Sequence, residues 1–375
     1  MPKRTTRPPV KKRQIVAELR QRIVSGKLAP GARLDTRSAL VDEFGVSGMT
    51  VQSAMDQLAG EGFVVAHGRN GTFVSEAPPH LHTFGLVMPV PEATQTTRSR
   101  FYGTLQRLVA DGIVPPPSRV VVYHGVSESS EHTKDYEHLE RDVRERRLAG
   151  VVFAGPPWAL RASGMLDVLR DAAVPAVALG GPDARTPMPT VYGDSKSLVT
   201  RAEEYLKNRG RKRIAWFVIP MPSRHGGDLV TATMRARKRA VAPHLVQLVH
   251  PERPWAAQNC ARLLMELPDR KRPDAVMICD DNLVRDVTEG LAAAGVRAPR
   301  DVEVVAHANF PDRPPAALPV RWLGFDLAQI LRTAFDAVRP NGRNGKKPNS
   351  VMLRATWESE LPDADGEMPG ASLRA

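Results

Sequence analysis

Residues 44–74 read FGVSGMTVQSAMDQLAGEGFVVAHGRNGTFV. Gly45 breaks the chain, and Ser47 is a good N-cap for a helix that carries Val51, Ala54, Met55 and Leu58 on one face. After Gly62, the short apolar runs 63–65 and 72–74 flank a polar, glycine-bearing tip at 67–71, which predicts a hairpin. Upstream, Leu40, Val41 and Phe44 mark a short helix that follows Asp35-Thr36, and Pro30-Gly31 is a turn. A first helix carries Ile15, Val16, Leu19 and Ile23 and stops at Gly26. Three helices and a hairpin in this order predict a winged helix-turn-helix over residues 14–75.

Such a module offers the N-terminal side chains of its third helix to the major groove, which is wide enough to admit a helix. The residues there are Gly48, Met49, Thr50, Gln52 and Ser53, behind the capping Ser47. An amide such as Gln52 can pair bidentately with adenine, whereas Thr50 and Ser53 suit phosphate or a thymine methyl. Arg37 and Ser38 open the second helix, and Arg69, Gly71 and Thr72 form the wing, so these are candidate backbone or minor-groove contacts. The plain alternative for each is an ordinary solvated surface residue.

The segments SGKLAPGARL (25–34), FGVS (44–47), Thr50-Val51 and GTFV (71–74) stand in an order and spacing that resemble the GntR family of bacterial regulators. The resemblance implies operator binding by a dimer, and the chain departs from it at three places. Gly48 and Gln52 stand where the family commonly carries Arg, and so does Ser38 on the second helix. Fewer cations there imply weaker, less salt-sensitive phosphate binding.

Composition fits that reading. The chain has 375 residues and a formal charge of +12, with 42% apolar and 25% charged residues, which excludes collagen-like, disordered or membrane-embedded classes. No apolar run is long enough to span a bilayer, and the start MPKRTTRPPVKKRQ does not read as a secretory signal, so the expected location is cytoplasmic. Two cysteines, Cys260 and Cys279, make neither a disulfide framework nor a four-ligand zinc site, and neither metal nor cofactor is expected. Half of the excess charge lies in residues 1–13, a basic arm suited to a polyanion or else simply solvated. Residues 14–76 carry six basic and seven acidic side chains, so the reader itself is nearly neutral.

Residues 76–83, with Pro78-Pro79, predict a linker. From Phe84 onward strands and helices alternate, the mark of an α/β fold with a parallel sheet. Strands are expected at 84–89, 119–124, 150–154, 175–179, 213–218, 244–249, 274–279 and 302–307. Helices are expected near 99–111, 136–147, 160–172, 195–208, 228–241, 255–266, 283–294 and 326–338. Eight such units overfill one open sheet, and the break at Pro187-Met188-Pro189 and Gly193-Asp194 divides the chain in two. Gly342 to Pro348 is a polar loop, and 359–375 a tail.

The fragments FGLVMP (84–89), LAGVV (148–152), VPAV (174–177), VYGD (191–194), GRKRIA (210–215) and PDAV (273–276) resemble, in their order, the LacI/GalR-type ligand-binding domain. Over 84–358 this implies a two-lobed, periplasmic-binding-protein-like type I α/β sensor, with a first crossover near 193 and a small-molecule effector in the cleft. It also implies Arg224, paired with Gly227, and Asp281 as ligands for vicinal hydroxyls, with Asp280 beside the latter. Asn309 and Phe310 follow a strand facing the same region, with His307 just before them. Phe101, Tyr102 and Trp158 are candidates for stacking on a ring or for the core. Asp194 reads as a hinge residue. The loop Val90-Pro91-Glu92 lacks the Asn or Ser frequent in sugar binders. No phosphate loop, nucleophile elbow or zinc-protease motif suggests an enzyme. The expectation is a homodimeric, effector-responsive repressor of a double-stranded DNA operator, sensing a sugar or related metabolite. The competing expectation is an architectural DNA-binding protein with a degenerate sensor.

Overall fold

The computed structural model of the chain describes residues 10–91, 99–127, 133–161, 164–186, 188–220, 229–339 and 350–361. Helices α1 (Val10–Val24), α2 (Arg37–Phe44) and α3 (Gly48–Gly60) precede the antiparallel wing of β1 (Val64–Ala66) and β2 (Thr72–Val74). The hydroxyl of Thr36 accepts from the Ala39 amide at 3.2 Å, which satisfies one free donor at the start of α2. Gly45 ends α2 at φ 60°, a left-handed conformation that favours glycine. Ile15, Leu19, Leu40, Val51, Leu58 and Phe63 close the core of this module.

Two boundaries differ from expectation. The arm is shorter than residues 1–13, because α1 begins at Val10 and takes in Lys11, Lys12 and Arg13. The Lys11 ammonium donates to the Gly45 carbonyl at 3.5 Å, so it serves the end of α2. Lys3, Arg4 and Arg7 lie outside the described residues. The stretch expected as a plain linker holds a helical turn, Pro79–His82, and the next strand starts at Thr83.

The first sensor lobe is a parallel sheet of β3 (Thr83–Val87), β4 (Arg119–Tyr123), β5 (Gly150–Phe153), β6 (Ala176–Leu179), β7 (Thr190–Asp194) and β13 (Val351–Arg354). Its order is β13-β7-β6-β5-β3-β4. Helices α4 (Arg100–Ala110) and α11 (Leu327–Ala337) cover one face. Helices α5 (Lys134–Arg144) and α6 (Met165–Asp171) cover the other. The second lobe contains β8 (Ile214–Val218), β9 (Val246–Leu248), β10 (Ala275–Ile278), β11 (Glu303–Phe310), β12 (Arg321–Asp326) and β14 (Thr356–Trp357). The order is β14-β12-β11-β10-β8-β9, with only β14 antiparallel to its neighbour. Helices α7 (Ser195–Asn208) and α8 (Leu229–Ala236) lie on one side, α9 (Pro254–Met265) and α10 (Val284–Ala293) on the other.

Burial on both faces explains the unbroken apolar runs. In β8, Ile214, Trp216 and Val218 enter one core while Ala215 and Phe217 enter the other, as a period of two requires. The chain passes between lobes at Asp194–Ser195, at Asp326–Leu327 and between β13 and β14. At the first two passages an aspartate caps the outgoing helix. Asp194 accepts from the Lys196 amide and Asp326 from the Gln329 amide, each at 3.0 Å. Strands β7, β12, β13 and β14 are additions to the expected set, and all four lie at these passages.

Candidate DNA-reading face and effector cleft

Ser47 is committed to the fold of the reading helix, its hydroxyl accepting from the Thr50 amide at 3.3 Å and bonding the Thr50 hydroxyl at 2.9 Å. Met49, at 83% exposure, is the most prominent apolar side chain of the face. Gln52 does not project freely. Its carbonyl oxygen accepts from the Arg37 guanidinium, and its amide donates to Asp56 at 2.7 Å. A bidentate contact to adenine would require it to give up both. A Cβ at Gly48 would make only an ordinary 3.9 Å contact with Arg37 Cδ, so this arrangement does not depend on the glycine.

Ser38 is exposed beside Arg37, and Ser53 is half-buried one residue past Gln52. Arg69 sits in the 3₁₀ turn Gly68–Asn70 at the wing tip, with Gly71 (φ 104°) and Thr72 following. The structure adds a residue that patterning missed. Arg33 bridges to Phe73 and its guanidinium lies over Gly71, where a Cβ would meet Nε at 3.0 Å. Arg33, Arg37, Gln52 and Asp56 line one concavity of about 270 Å³ between the helices and the wing.

The cleft between the lobes holds a larger cavity of about 570 Å³, whose lining includes Phe101, Tyr192, Asp194, Lys196, Asn309 and Phe325. Asp281 and Asn309 are brought together, since the Asn309 amide donates to the Asp281 carboxylate at 2.9 Å and both are buried. Burial pushes the Asp281 carboxyl up, with Asp280 adding repulsion, while His307, Asn309 and Arg100 oppose the shift. Asp280 instead caps the turn 281–283, accepting from the Asn282 amide at 2.9 Å. His307 is 8% exposed and neither ring nitrogen has a hydrogen-bond partner among the described residues, its ring meeting Phe325 edge-on at 5.7 Å. Phe310, by contrast, is 2% exposed and is not among the cavity's lining residues. Phe101 and Tyr102 pack edge to face at 5.4 Å, and only Phe101 lines the cavity. Arg224 and Gly227 lie outside the described residues, as does the side chain of Trp158.

Helix α4 ties the lobes together over this site. The Arg100 amide donates to Asn282 at 3.0 Å and its guanidinium to the Arg313 carbonyl at 3.2 Å. Thr104 donates to Asp312 at 2.6 Å, and Arg107 pairs with the same carboxylate. Burial acts against ionisation of Asp312, but these two donors prevail and hold its carboxyl below the usual range. Asn309, Asp194, Lys196 and the aromatic Phe101 and Phe325 line the cavity, with Asp281 behind Asn309 and His307 behind Phe325 rather than in the wall. Such a lining suits a small polar ligand with an apolar face.

A winged reader joined to a hinged two-lobed sensor defines a ligand-coupled transcription regulator. Residues 11–74 match the bacterial regulatory proteins of the gntR family, and residues 204–353 match the periplasmic binding protein-like domain. The chain thus carries a GntR-type DNA-binding domain at residues 11–74 and a periplasmic binding protein-like domain at residues 204–353. It is 23% identical over 308 residues to the arabinose metabolism transcriptional repressor of Geobacillus stearothermophilus, covering 79% of this chain and 81% of that protein. In fold it is similar to a LacI-family regulatory protein from Chloroflexus aggregans, with TM-score 0.55, 18% identity and coverage of 73% of this chain and 96% of that one. It is also similar to a LacI-family regulator from Lactobacillus casei with bound glucose, with TM-score 0.52, 20% identity and coverage of 74% and 98%.

Proposed function

We propose that the chain is an operator-binding repressor whose affinity for DNA is set by a sugar or related polyol held between the lobes. The observation that carries this reading is the buried Asp281–Asn309 pair beside the unpartnered His307. A buried carboxylate that keeps acceptor capacity selects ligands rich in hydroxyl donors, and the adjacent imidazole can both donate and accept. Aromatic Phe101 and Phe325 in the cavity wall suit the apolar face of a pyranose ring. The arabinose repressor and the glucose-bound regulator named above support the ligand class. A DNA partner agrees with a cytoplasmic location, and among the described residues no helix is long and apolar enough to cross a membrane.

The working unit in this reading is a homodimer that presents two winged helices to a pseudo-palindromic operator. Trp255 and Leu263 are each 60% exposed and lie eight residues apart along α9. Large apolar side chains exposed this way are what a second copy would cover. Sedimentation of the double variant Trp255→Glu/Leu263→Glu tests it: a monomer is expected, and an undisturbed dimer removes α9 from the interface.

Thermal unfolding against a panel of pentoses, hexoses and disaccharides tests the effector. A ligand at a hundred times its Kd stabilises the folded state by about 2.7 kcal/mol. That gain should vanish in Asp281→Asn and Asn309→Ala while both variants still bind operator. Stabilisation by no member of the panel sinks the sugar reading and favours the architectural alternative.

A further inference from the structure

We infer that Glu61 is a positioning residue, through which the first sensor lobe holds the recognition helix in a fixed pose. This inference rests on the DNA-binding reading and adds how the two modules are joined. Glu61 directly follows α3 and its side chain is 7% exposed. One carboxylate oxygen accepts from Arg20 of α1 at 2.5 Å. The other accepts from Gln57 at 2.9 Å and from Arg147 at 2.6 Å. Arg20 and Gln57 belong to the reader, but Arg147 belongs to the sensor, just before β5. A single buried carboxylate is therefore shared between the modules.

Arg147 is itself anchored within its lobe. It pairs with Glu145 and with Asp142 at 3.4 Å, and its amide donates to the Asp142 carbonyl at 2.8 Å. Asp142 in turn accepts from the Tyr123 hydroxyl at 2.6 Å, at the end of β4. Hydrogen bonds between ionised groups are strong and directional, and this set is screened from water on the reader side.

A second contact lies alongside. His80 of the linker turn stacks on Phe63 at 6.0 Å and 11°, and the Arg20 guanidinium covers the same ring at 5.4 Å. Pro79 closes over Gly62, whose φ of 80° turns the chain out of α3. The linker is thus packed rather than a free tether, and the Ser75 amide just before it bonds the Phe63 carbonyl at 2.9 Å. A reader held this way has the C-terminal end of its recognition helix fixed to lobe 1, so movement of the lobe carries that helix with it. In a dimer, that would fix the distance between the two helices and hence the half-site spacing.

The variant Arg147→Gln isolates the link, because Glu61 keeps Arg20 and Gln57 and the reader stays internally satisfied. The full chain is compared with this variant and with Arg20→Gln, which breaks the bond inside the reader together with a longer pair to Glu145 of the sensor at 3.9 Å. Two measurements are made: hydrogen exchange of residues 75–82 and of α3, and binding to a duplex selected from a random pool by the wild-type chain. The same duplex with two base pairs inserted between its half-sites reports on spacing. For Arg147→Gln we expect exchange in 75–82 to rise about tenfold with α3 protection unchanged, and discrimination against the lengthened duplex to disappear. Arg20→Gln should instead deprotect α3. Unchanged linker exchange and unchanged spacing preference in Arg147→Gln overturn the inference, as does weakened α3 protection in that variant, which would make Arg147 a mere support of the reader. If the wild-type chain selects no duplex, the DNA-binding reading fails, and the exchange measurement alone still decides the clamp.

Discussion

His80 carries an acid-sensitive signal that its neighbours make readable. Burial against Phe63 pushes its imidazole down to about 4, and Arg146 and His82 push the same way. Between about 4 and the ordinary histidine value of 6.5 the unfolded chain binds this proton and the folded one does not, so stability rises with pH across that window. Glu61 acts lower down. Its burial favours the neutral acid, but hydrogen bonds from Gln57 and Arg20 hold the carboxyl below 4.5, so its contribution is present above that value and fades on further acidification. Melting of the full chain at pH 7, 5.5 and 4.5 should show a fall that His80→Gln reduces between the first two points. An equal fall in both proteins would mean that His80 is not docked on Phe63 in solution. Neither role is legible locally: Glu61 reads as an ordinary solvated residue at a helix end, and its sensor partner is 86 positions away in sequence.

The elements differ in how far sequence can reveal them. The reader is legible because local signals agree: Thr36 and Ser47 cap, Gly45 stops, and apolar residues recur at helical spacing. Helix α7 falls at 195–208 as expected, with Asp194 as its cap. The passage strands are not legible because their composition answers to a tertiary need. β7 and β12 end in Asp194 and Asp326 and contain Gly193 and Gly324. A Cβ at Gly193 would sit 2.7 Å from the Phe325 ring, and one at Gly324 1.7 Å from the Ala308 carbonyl oxygen. Close approach between strands thus dilutes the apolar pattern that marks a strand. The arm and the recognition helix give a prediction at this scale. Removing residues 1–9 takes away Lys3, Arg4 and Arg7 but spares Lys11, which caps α2. The slope of log K against log salt should become shallower by up to about 2.7, at about 0.9 for each phosphate that is no longer neutralised. Gly48→Arg should steepen it by about 0.9. A slope unmoved by the deletion shows that the arm does not touch DNA.

At the scale of the whole molecule, sensing depends on how tightly two lobes sharing three passages hold together. The hydrogen bonds and ion pair that α4 makes to the second lobe converge on Asn282, Asp312 and Arg313. Arg107 and Asp312 are part-exposed, at 44% and 32%, so their ion pair contributes less than about 1 kcal/mol. The Thr104 hydrogen bond to a charged group adds roughly 1.5 kcal/mol or somewhat more. Asp312→Ala removes both, weakening closure by roughly 1–2 kcal/mol after allowance for solvent screening. A ligand that binds only the closed form then meets a smaller competent fraction, and its apparent affinity falls in proportion. We expect an effector found by thermal unfolding to bind Asp312→Ala up to about thirtyfold more weakly. At one ligand concentration well above both Kd values the stabilisation should fall by about 1.4 kcal/mol for each tenfold loss of affinity, and small-angle scattering of the free variant should give a larger radius of gyration. Arg107→Ala, which spares the Thr104 bond, should show a smaller shift in the same direction. Equal affinity in Asp312→Ala and the wild-type chain would mean that the α4 ties close the cleft without limiting it, leaving the passages at Asp194 and Asp326 to set the balance between open and closed lobes.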